Sequence, residues 1–556
     1  MAKRKYKSID EIPPDIRERL GQYITDVGSD TFVIHGLPPE LTGGALARYS
    51  RAPTGIVLTL ANEFLDDDGN PSQAKGTALM DRVLNAFGDE SVGELEGTHA
   101  GLENVSQLAT KFFEDRRIGG SPIEQSTRYV RYDEKDGQGR WRYLRPAEVD
   151  QAGLLPQFES TCDRAFDVYS RGIQKLSEYF RGVFPREQFQ IEVERDGEKV
   201  SAGVDELRDS KEKRAFREAY NFTIRCAALD VGRCVLPAST LTHLGVFGNG
   251  RYFTNVLTFL RTVGLQEASE RAVALRRELN KVIPTYVKRN RVDTRLQDVS
   301  KAMRQKADEL FEGMQPQADH VWLEPRHSLL DTTVAHALYP YTNVSLQQIH
   351  EVVQRLPDEK KHEICAIYAQ KRETRRDRVG RGLEAGYPLT FDLIGGFAEY
   401  RDLERHRMLT QQRQELTTDL GFIMPPEMGI IGLESEAEEV VGMFEVLHDD
   451  LRRAGLGPAA QYATLFNNRL RWSMGMNLRE LQHLAELRTQ PAGHFSYRSM
   501  VMEMVRQATE RDPWISNFLQ FVDYSDPGNK ISRAKEQSRI AGKNLAAGID
   551  GSVDYE

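Results

Sequence analysis

The stretch NLRELQHLAELRT, which runs from Asn477 to Thr489, decides the fold because it repeats an earlier segment of the chain. Its counterpart is NGRYFTNVLTFLRT, which begins at Asn249. Each stretch starts with Asn-x-Arg, continues with apolar residues at helical spacing and ends in Leu-Arg. A repeat at such a long distance indicates that a structural module has been duplicated.

Two features flank the repeated stretches in the same order. An arginine-rich segment lies upstream of each, FFEDRRIGGSPIEQSTRY from Phe112 and YRDLERHRMLTQQRQ from Tyr400. Downstream of each, a helical pattern leads to a proline and aromatic cluster, at Ile283 and at Asp512. Because two echoes in register are harder to attribute to chance than one, we predict two tandem domains in an α+β, helix-rich chain.

The rest of the chain is divided by composition and turn signals. Within the first module, IEVERDGEKVSA alternates around Asp196-Gly197, which predicts a β-hairpin inside a charged surface insertion at about 185–217. The tail after Asp526 has few apolar residues, and we expect it to be mobile. The predicted segments are a leader (1–44), a first domain (45–290), a linker (291–329), a second domain (330–525) and a polar tail (526–556).

Composition excludes several classes of protein. The chain has 556 residues, 40% of them hydrophobic, with a formal net charge of −9, so no global positive field recruits nucleic acid. No apolar run reaches the roughly 18 residues of a membrane span, and the N-terminus lacks a signal peptide, so we expect a cytoplasmic protein. No metal site is predicted, since the four cysteines form no CxxC pair.

The segment from Arg116 to Tyr129 has the residue types that bind nucleotides. Gly119, Gly120 and Pro122 interrupt any helix there, which predicts a polar loop after a helix. In such a loop, Arg128 grips a phosphate with its fork of donors, and backbone amides and Ser126 read a base edge. The alternative is a capped turn with surface ion pairs.

The triplet Arg405-His406-Arg407 is a second candidate anion site. It follows Arg401, which shares a helical face with Arg405. An anion or flavin site with His406 near the ring is one interpretation. A helix end stabilised by its own dipole is the other.

The repeated helices differ in their polar residues. In the second half, Asn477, Arg479, His483 and Arg488 lie along one helix, with leucines forming its buried face. The helix of the first half has residues at three matching positions, but the arginine of its Leu-Arg pair lies one residue later than Arg488 does in the second half. Either a bulge corrects that shift, or this arginine points elsewhere. The first-half residues are Asn249, Arg251, Asn255 and the late Arg261.

These segments together resemble the flavin-dependent thymidylate synthases, the thymidylate synthase complementing proteins. Their signature RHRxxSxNxxSxRY is similar in spacing to RRIGGSPIEQSTRY, with Arg117, Ile118 and Ile123 as replacements. Their later block of Arg-x-Val-Leu-Pro and Asn-x-Arg resembles Arg233–Pro237 and Asn249–Arg251. The signature residues that match are Arg116, Ser121, Glu124, Ser126, Arg128 and Tyr129.

The second half resembles the same family but has kept other parts. It retains Arg405-His406-Arg407 and the Asn477–Arg488 helix, whereas Gln461 stands near the place of the Arg-x-Val-Leu-Pro arginine. One composite site is therefore expected, in which Ser126 and Arg128 face the Asn477–Arg488 helix. The other combination joins Arg405-His406-Arg407 to the Asn249 helix. Replacements in the second signature are Thr410, Gln412, Glu415, Thr417 and Thr418.

The resemblance implies reductive methylation of dUMP to dTMP with FAD, NADPH and methylenetetrahydrofolate. It also implies a homodimer that forms a pseudo-tetramer, with a nucleotide as the small-molecule partner. The alternatives are a non-catalytic nucleotide- or flavin-binding paralogue and a related flavin enzyme acting on another pyrimidine. Implied catalytic residues are Ser126 and Arg488; substrate-binding residues are Arg116, Glu124, Gln125, Ser126, Arg128, Arg233 and Arg488; cofactor-binding residues are Arg405, His406, Arg407, Asn477, Arg479, His483, Asn249, Arg251 and Asn255.

Overall fold

The computed structural model describes residues 6–82, 90–288, 290, 292–317, 320–373, 377 and 379–548. Across these ranges, no helix has both the length and the apolar character that crossing a membrane requires. The α-helices are α1 (Pro14–Gly21), α2 (Pro39–Tyr49), α3 (Ile56–Thr59), α4 (Gln73–Asp81), α5 (Gln107–Glu114), α6 (Ala147–Gln151), α7 (Leu155–Val183), α8 (Ser210–Gly232), α9 (Gly250–Leu260), α10 (Gln266–Leu279), α11 (Pro284–Val287), α12 (Thr294–Phe311), α13 (Leu329–Leu338), α14 (Leu346–Arg355), α15 (Asp358–Ala369), α16 (Phe397–Leu403), α17 (Pro426–Ile430), α18 (Glu434–Arg453), α19 (Gly457–Ala460), α20 (Leu478–Arg488), α21 (Phe495–Arg511) and α22 (Arg533–Ala546). The strands are β1 (Gly97–Ser106), β2 (Gly120–Glu124), β3 (Ile191–Arg195), β4 (Glu198–Ala202), β5 (Leu241–Asn249), β6 (Val321–Leu323), β7 (Leu389–Gly396), β8 (Thr410–Arg413) and β9 (Arg469–Met476).

The chain forms two compact units. The first unit consists of Met1–Val105, Ala109–Glu124 and His243–Thr294. The second unit consists of Ser106–Leu108, Gln125–Thr242 and Arg295–Glu556. The second unit therefore contains α7 and α8 of the first repeat together with the whole of the second repeat. The domain boundaries that we inferred from the sequence repeat remain predictions.

The two repeats build the same small sheet. In the first repeat the strand order is β1-β5-β2, and in the second it is β7-β9-β8 with β6 added at the edge next to β7. The register agrees as well, since Ser121 pairs with Phe247 and the corresponding Thr410 pairs with Gly475, both antiparallel. The predicted tandem duplication of a helix-rich α+β module is thereby confirmed.

The repeated Asn-x-Arg stretches form matching helices. α9 and α20 each have 11 residues and follow an asparagine whose side-chain oxygen accepts a backbone N–H of the first turn, in Asn249 and Asn477. No bulge interrupts α9, so Leu260 occupies the place of Arg488 and is completely buried. Arg261 is the C-cap residue and points elsewhere, which is the second of the two alternatives that the sequence left open.

The two repeats meet through a reciprocal pair of backbone hydrogen bonds inside the second unit. Ala238 N–H donates to the carbonyl of Thr464 over 2.8 Å, and Phe466 N–H donates to the carbonyl of Leu236 over 2.9 Å. Because Ala238 corresponds to Phe466 and Leu236 to Thr464 in the repeat, each bond is the counterpart of the other. Such a self-complementary contact is what a two-fold interface between identical subunits has.

The charged insertion forms the predicted hairpin. β3 and β4 pair antiparallel around Asp196 and Gly197, whose φ angles of 53° and 85° are those of a tight two-residue hairpin turn. Its apolar side packs against α7, α8 and the tail, with Ile531 and Ala541 in the same buried cluster as Ile191. The expectation of a mobile tail is therefore wrong for this packed part, because Ala534, Ala541 and Leu545 lie on one face of α22 and Ile531 packs just before it.

A pair of glycine substitutions tests how tightly α22 packs. A Cβ at Gly542 would press against the backbone carbonyl of Glu192, whereas a Cβ at Gly442 in α18 meets nothing within 4 Å. We expect Gly542→Ala to lower the free energy of unfolding by about 1–2 kcal/mol, because overpacking costs more than helix propensity gains. Gly442→Ala should instead raise it by about 0.5–1 kcal/mol in the same denaturant titration. Equal stabilisation by both changes would contradict the packing of α22 on the hairpin.

The leader and the linker each belong to a buried core. The leader contributes Tyr6, Ile12 and Leu20 to a cluster with α2 and α3 in the first unit. The predicted linker helix is α12, and its apolar face packs with α13, α14 and α15 in the second unit. This otherwise polar helix packs there because its buried apolar residues recur at helical spacing and so lie on one face. They are Val299, Met303, Ala307 and Phe311.

Candidate functional site

The loop after β2 turns Arg128 into the interior of the second unit. Ser126 Oγ accepts the backbone N–H of Arg128 over 3.2 Å, and the Ser126 carbonyl accepts the N–H of Val130 over 3.0 Å. This short turn buries Thr127 and Arg128, which are 2% and 6% exposed. Ser126 therefore has a defined local role, which is to fix the turn that presents its neighbours.

The Arg128 guanidinium forms a fork with Asp230 near the end of α8. Arg128 Nε and Nη2 donate to the two carboxylate oxygens of Asp230, each over 2.8 Å. Burial alone disfavours both charges, but Asp230 raises the pKa of Arg128, and Arg128 holds the pKa of Asp230 well below its usual range. The group predicted to grip a phosphate is thus charged, and its fork is closed on a carboxylate of the same unit.

A second buried group lies around Thr127. Its hydroxyl oxygen accepts from Arg233 over 3.2 Å and from Arg401 over 3.1 Å, and Arg233 also donates to Asp402 over 3.4 Å. Burial opposes ionisation of Asp402, yet Arg233 and Arg128 keep its pKa well below the usual range. Arg233 is 2% exposed, and among the residues that the structure describes no acceptor reaches its Nε–H. An orphaned donor of this kind is satisfied by a bound ligand or an ordered water.

Arg128 of the first repeat and Arg488 of the second lie beside the same aromatic ring. The Cζ atom of each is 5.8 Å from the centroid of Tyr497 in α21, within the range of a cation–π contact. Arg128 Nη1 also donates to the Tyr497 hydroxyl over 3.3 Å. The structure therefore brings the predicted phosphate arginine close to the C-terminal end of α20, as the composite arrangement requires.

His406 links the arginine triplet to α20 within the second repeat. Its Nδ1–H donates to Glu480 Oε1 over 2.8 Å, and its Nε2 accepts from Arg488 Nε over 2.9 Å. Burial lowers the pKa of His406, with Arg488 adding to the effect, so the imidazole is neutral and holds the Arg488 side chain in place. The His483 ring lies 5.5 Å from it.

The remaining predicted residues of the second unit are polar side chains that are exposed or half-buried, and we call this set the polar rim. Gln125 is half-buried and its Oε1 accepts from the Tyr132 hydroxyl over 3.2 Å. Asn477 has its side-chain oxygen engaged in capping α20, over 3.0 Å to the Glu480 N–H. The exposed predicted cofactor residues of this unit are Arg405, Arg407, Asn477, Arg479 and His483.

Five predicted residues belong to the first unit, where the structure gives them local partners. Glu124 is buried and accepts from Lys111 Nζ over 3.0 Å. The Arg116 guanidinium lies 3.5 Å from the ring centroid of Phe259, and Arg251 forms an ion pair with Glu94. Asn249 caps α9, and Asn255 is half-buried on that helix.

The second repeat lacks the arginines that the first repeat contributes. A short 3-10 helix starts at Arg233 in the first repeat and at Gln461 in the second, so Gln461 occupies the matching place, as the sequence indicated. The Gln461 side chain accepts from Arg413 and from the backbone N–H of Leu416. Thr417 stands at the place of Arg128, so only the first repeat can supply a bidentate donor there.

Several residues at the centre of the cluster were not predicted from the sequence. Asp230 precedes Arg233 by three residues on the same helix end, and that spacing was the available signal. Asp402 lies just before the arginine triplet, whereas Tyr497 and His494 belong to no recognisable motif. Their partners in the first repeat, Arg128 and Asp230, are separated from them by hundreds of positions, so local patterning contains no trace of those contacts.

His494 is the titratable group of this cluster with the clearest consequence for pH. Its Nδ1 lies 2.7 Å from Ser496 Oγ and its Nε2 lies 3.2 Å from the Asp230 carbonyl, which fixes a neutral tautomer with the proton on Nε2. Burial lowers the pKa of His494 to about 3, despite the nearby Asp230 carboxylate. Protonation would place a second donor at Nδ1, where the backbone N–H of Ser496 already donates.

We expect this histidine to weaken the fold in mild acid. Because the unfolded imidazole titrates near about 6.5, the unfolded chain binds more protons than the folded chain below that pH, and stability falls as pH falls. The loss attributable to His494 is about 2 kcal/mol between pH 6.5 and 5. Urea titrations of His494→Gln across that interval should show a shallower slope than wild type, and the exposed His362→Gln should not. Identical slopes for His494→Gln and wild type would refute this.

Fold and site together define a duplicated α+β protein whose two modules share one arginine-rich centre. Residues 45–285 and 387–514 match the thymidylate synthase complementing protein family. A UPF0159 protein of Chlamydia muridarum is 34% identical over 94% of this chain and 97% of its own length. A UPF0159 protein of Thermoplasma acidophilum is 30% identical over 91% of this chain and 99% of its own length. The chain belongs to the thymidylate synthase complementing protein family.

Proposed function

We propose that the protein is a flavin-dependent thymidylate synthase that converts dUMP to dTMP with FAD, NADPH and methylenetetrahydrofolate. The observation that supports this most is the meeting of Arg128, Arg488 and Tyr497. Each repeat has lost a different part of the family signature, and Arg128 and Arg233 of the first repeat lie in one unit with His406 and Arg488 of the second. A single complete set of cationic groups in one place is what binding of one nucleotide phosphate and base needs.

The Arg128 fork is the proposed phosphate site. A phosphate presents the same pair of anionic oxygens as the Asp230 carboxylate, so the nucleotide exchanges with Asp230 at the guanidinium. Arg233 also lowers the pKa of Asp230, so the displaced carboxylate keeps a cationic neighbour. The orphaned Nε–H of Arg233 gives the incoming anion a further donor.

Arg488 is proposed to polarise the uracil ring. Its Nε–H is given to His406, whose other nitrogen donates to Glu480, so the guanidinium is held by a neutral and oriented imidazole. A fixed positive group beside the base stabilises negative charge that develops on a ring carbonyl during methylation. Ser126 acts by shaping the loop that presents Arg128, and no serine nucleophile is invoked.

The polar rim has the donor chemistry that FAD requires. Exposed Arg405, Arg407 and Arg479 suit a diphosphate, and the exposed His483 ring, 5.5 Å from the buried His406 ring, suits the edge of a flat heterocycle. When bound, FAD supplies the hydride that it takes from NADPH. The residues of this chain bind the cofactor and orient it toward the base.

The second candidate is a non-catalytic nucleotide- or flavin-binding paralogue. The observation that favours it is the closed fork, since Arg128 is already fully engaged by Asp230. The third candidate is a flavin enzyme that acts on another pyrimidine. It would use the same polar rim to bind FAD but would not convert dUMP.

Reconstitution with FAD separates the three candidates. The purified chain is tested for bound flavin by its absorbance, and then for dTMP formation from dUMP with NADPH and methylenetetrahydrofolate. Formation of dTMP that depends on all three supports the proposal. Flavin binding without dUMP turnover favours the enzyme of another pyrimidine, and failure to bind added FAD favours the scaffold. Light scattering on the same preparation tests the proposed homodimer.

A further inference from the structure

Three metal-ligating side chains meet in the second unit, between its sheet and the helices α13 and α14. Glu324 follows β6, His336 lies on α13 and His350 lies on α14. Glu324 Oε1 is 3.1 Å from His336 Nε2 and 2.6 Å from His350 Nε2. All three are buried, at 6%, 4% and 2% exposure, and no residue of the proposed dTMP site belongs to this cluster.

The geometry is close to that of a metal site before the ion is added. Zinc bonds of about 2.0–2.1 Å in a tetrahedron place neighbouring ligand atoms about 3.3 Å apart. The His336 distance is close to that value and the His350 distance is shorter, so the His350 side chain would have to move outward to make room for an ion. Three ligand atoms that lie within 4.8 Å of one another satisfy the distance requirement.

One of the two other imidazole nitrogens, Nδ1 of His336, has a partner that fits a ligated state. Gln412 Nε2 lies 3.4 Å from His336 Nδ1, and the amide turned over would accept the Nδ1–H that metal ligation creates. His350 Nδ1 is buried, and no hydrogen-bond partner reaches it among the residues that the structure describes. The His327 ring stacks on His350 with centroids 4.0 Å apart, which places another imidazole beside the cluster.

We propose that Glu324, His336 and His350 bind a zinc ion. Two imidazole nitrogens and one carboxylate form a donor set that zinc accepts, with a fourth position for water or another ligand. The ion takes the place of the hydrogens between both Nε2 atoms and Glu324, each neutral ring then has its one proton on Nδ1, and the ion joins three elements distant in sequence. It thereby ties α13 and α14 to the sheet.

Metal analysis of the untagged full-length chain tests this site. Chelated protein is incubated with Zn²⁺ or Co²⁺ and passed through gel filtration, and the metal retained per chain is measured. We expect one Zn²⁺ per chain, a Co²⁺ spectrum typical of nitrogen and oxygen ligands in a four- or five-coordinate site, and a higher melting temperature with Zn²⁺. His350→Gln should weaken Zn²⁺ binding by at least about tenfold. His362→Gln, which alters an exposed histidine of α15, should leave it unchanged.

Three results would overturn the proposal. One is a wild-type chain that retains no Zn²⁺ and shows no Co²⁺ absorption bands after gel filtration. Another is equal Zn²⁺ retention by wild type and a folded His350→Gln variant. The last is a Co²⁺ spectrum typical of a six-coordinate ion bound mostly by water, which indicates binding at the surface. This measurement uses the wild-type chain, so it tests the proposal even if His350→Gln does not fold.

Discussion

Arg128→Met should lower the free energy of unfolding by about 3–5 kcal/mol, because it leaves the Asp230 carboxylate buried without its fork. The pair is far from solvent, with side-chain exposures of 8% and 10%. It also lies in the second unit beside Tyr497 and Ala492, both of which accept hydrogen bonds from Arg128. Chemical denaturation at neutral pH measures the loss.

Two further variants isolate the cause of that loss. Arg131→Met removes an arginine three positions away that pairs with Asp133 and is 47% exposed, and it should cost about 1 kcal/mol or less. Arg128→Met combined with Asp230→Leu should recover most of the stability, because no unpaired charge remains. If Arg128→Met and Arg131→Met cost the same, the buried fork does not stabilise this fold.

The ionisation of Asp230 determines how the stability contributed by the Arg128–Asp230 pair changes in acid. Its pKa is held below the unfolded value by Arg128, so its contribution to stability is present above about pH 4 and declines as pH falls through that region. His494 weakens the fold over a higher interval, starting near about pH 6.5. The two groups are in contact and titrate in the same direction, so their combined effect is a continuous loss of stability in acid.

Arg488→Gln should reduce the turnover number for dTMP by about 10²–10³-fold while the fold is retained. Arg488 is half-buried and donates to the neutral His406; it also helps to lower the pKa of the buried Asp402, but that carboxylate keeps Arg233 as its ion-pair partner. Glutamine keeps a donor but removes the fixed positive charge beside the base. Steady-state kinetics at saturating FAD, with thermal unfolding as the check on folding, measures the effect.

The control for this variant lies on the neighbouring helix. Arg506→Gln removes an exposed arginine of α21 that pairs with Glu503 and Glu510, and we expect neither activity nor stability to change appreciably. Arg479→Gln, on the rim, should weaken FAD binding and leave the turnover number at saturating FAD nearly unchanged. A large loss of turnover in Arg506→Gln, or none in Arg488→Gln, would refute the role given to Arg488.

Local features of the sequence predicted much of the fold. Asp196-Gly197 predicted the hairpin, because only a few residue pairs adopt the backbone of a two-residue turn. The helical spacing in the Asn249 and Asn477 stretches predicted α9 and α20, and the capping asparagines mark where both helices begin. The tail was mispredicted, because its few apolar residues gain stability only from packing on the distant hairpin.

The site was predictable as a set of residue types and only in part as an arrangement. Arg128, Arg233, His406 and Arg488 were all singled out, and the structure brings them near one another in the second unit. The aspartates that neutralise Arg128 and Arg233 were not, since a carboxylate on an amphipathic helix gives no signal of the partner it faces.

By itself the sequence determined that a module is duplicated, which turns and helices each copy forms, and which cationic groups each copy retains. Turns and helices depend on residues within one or two turns of each other, and the duplication is visible because the same local spacing occurs at Asn249 and again at Asn477. Only the tertiary structure decided that Arg128 pairs with Asp230, 102 positions away, and contacts Tyr497, 369 positions away. Such contacts arise from the packing of whole helices and sheets, and the energy that selects them is shared among many buried side chains.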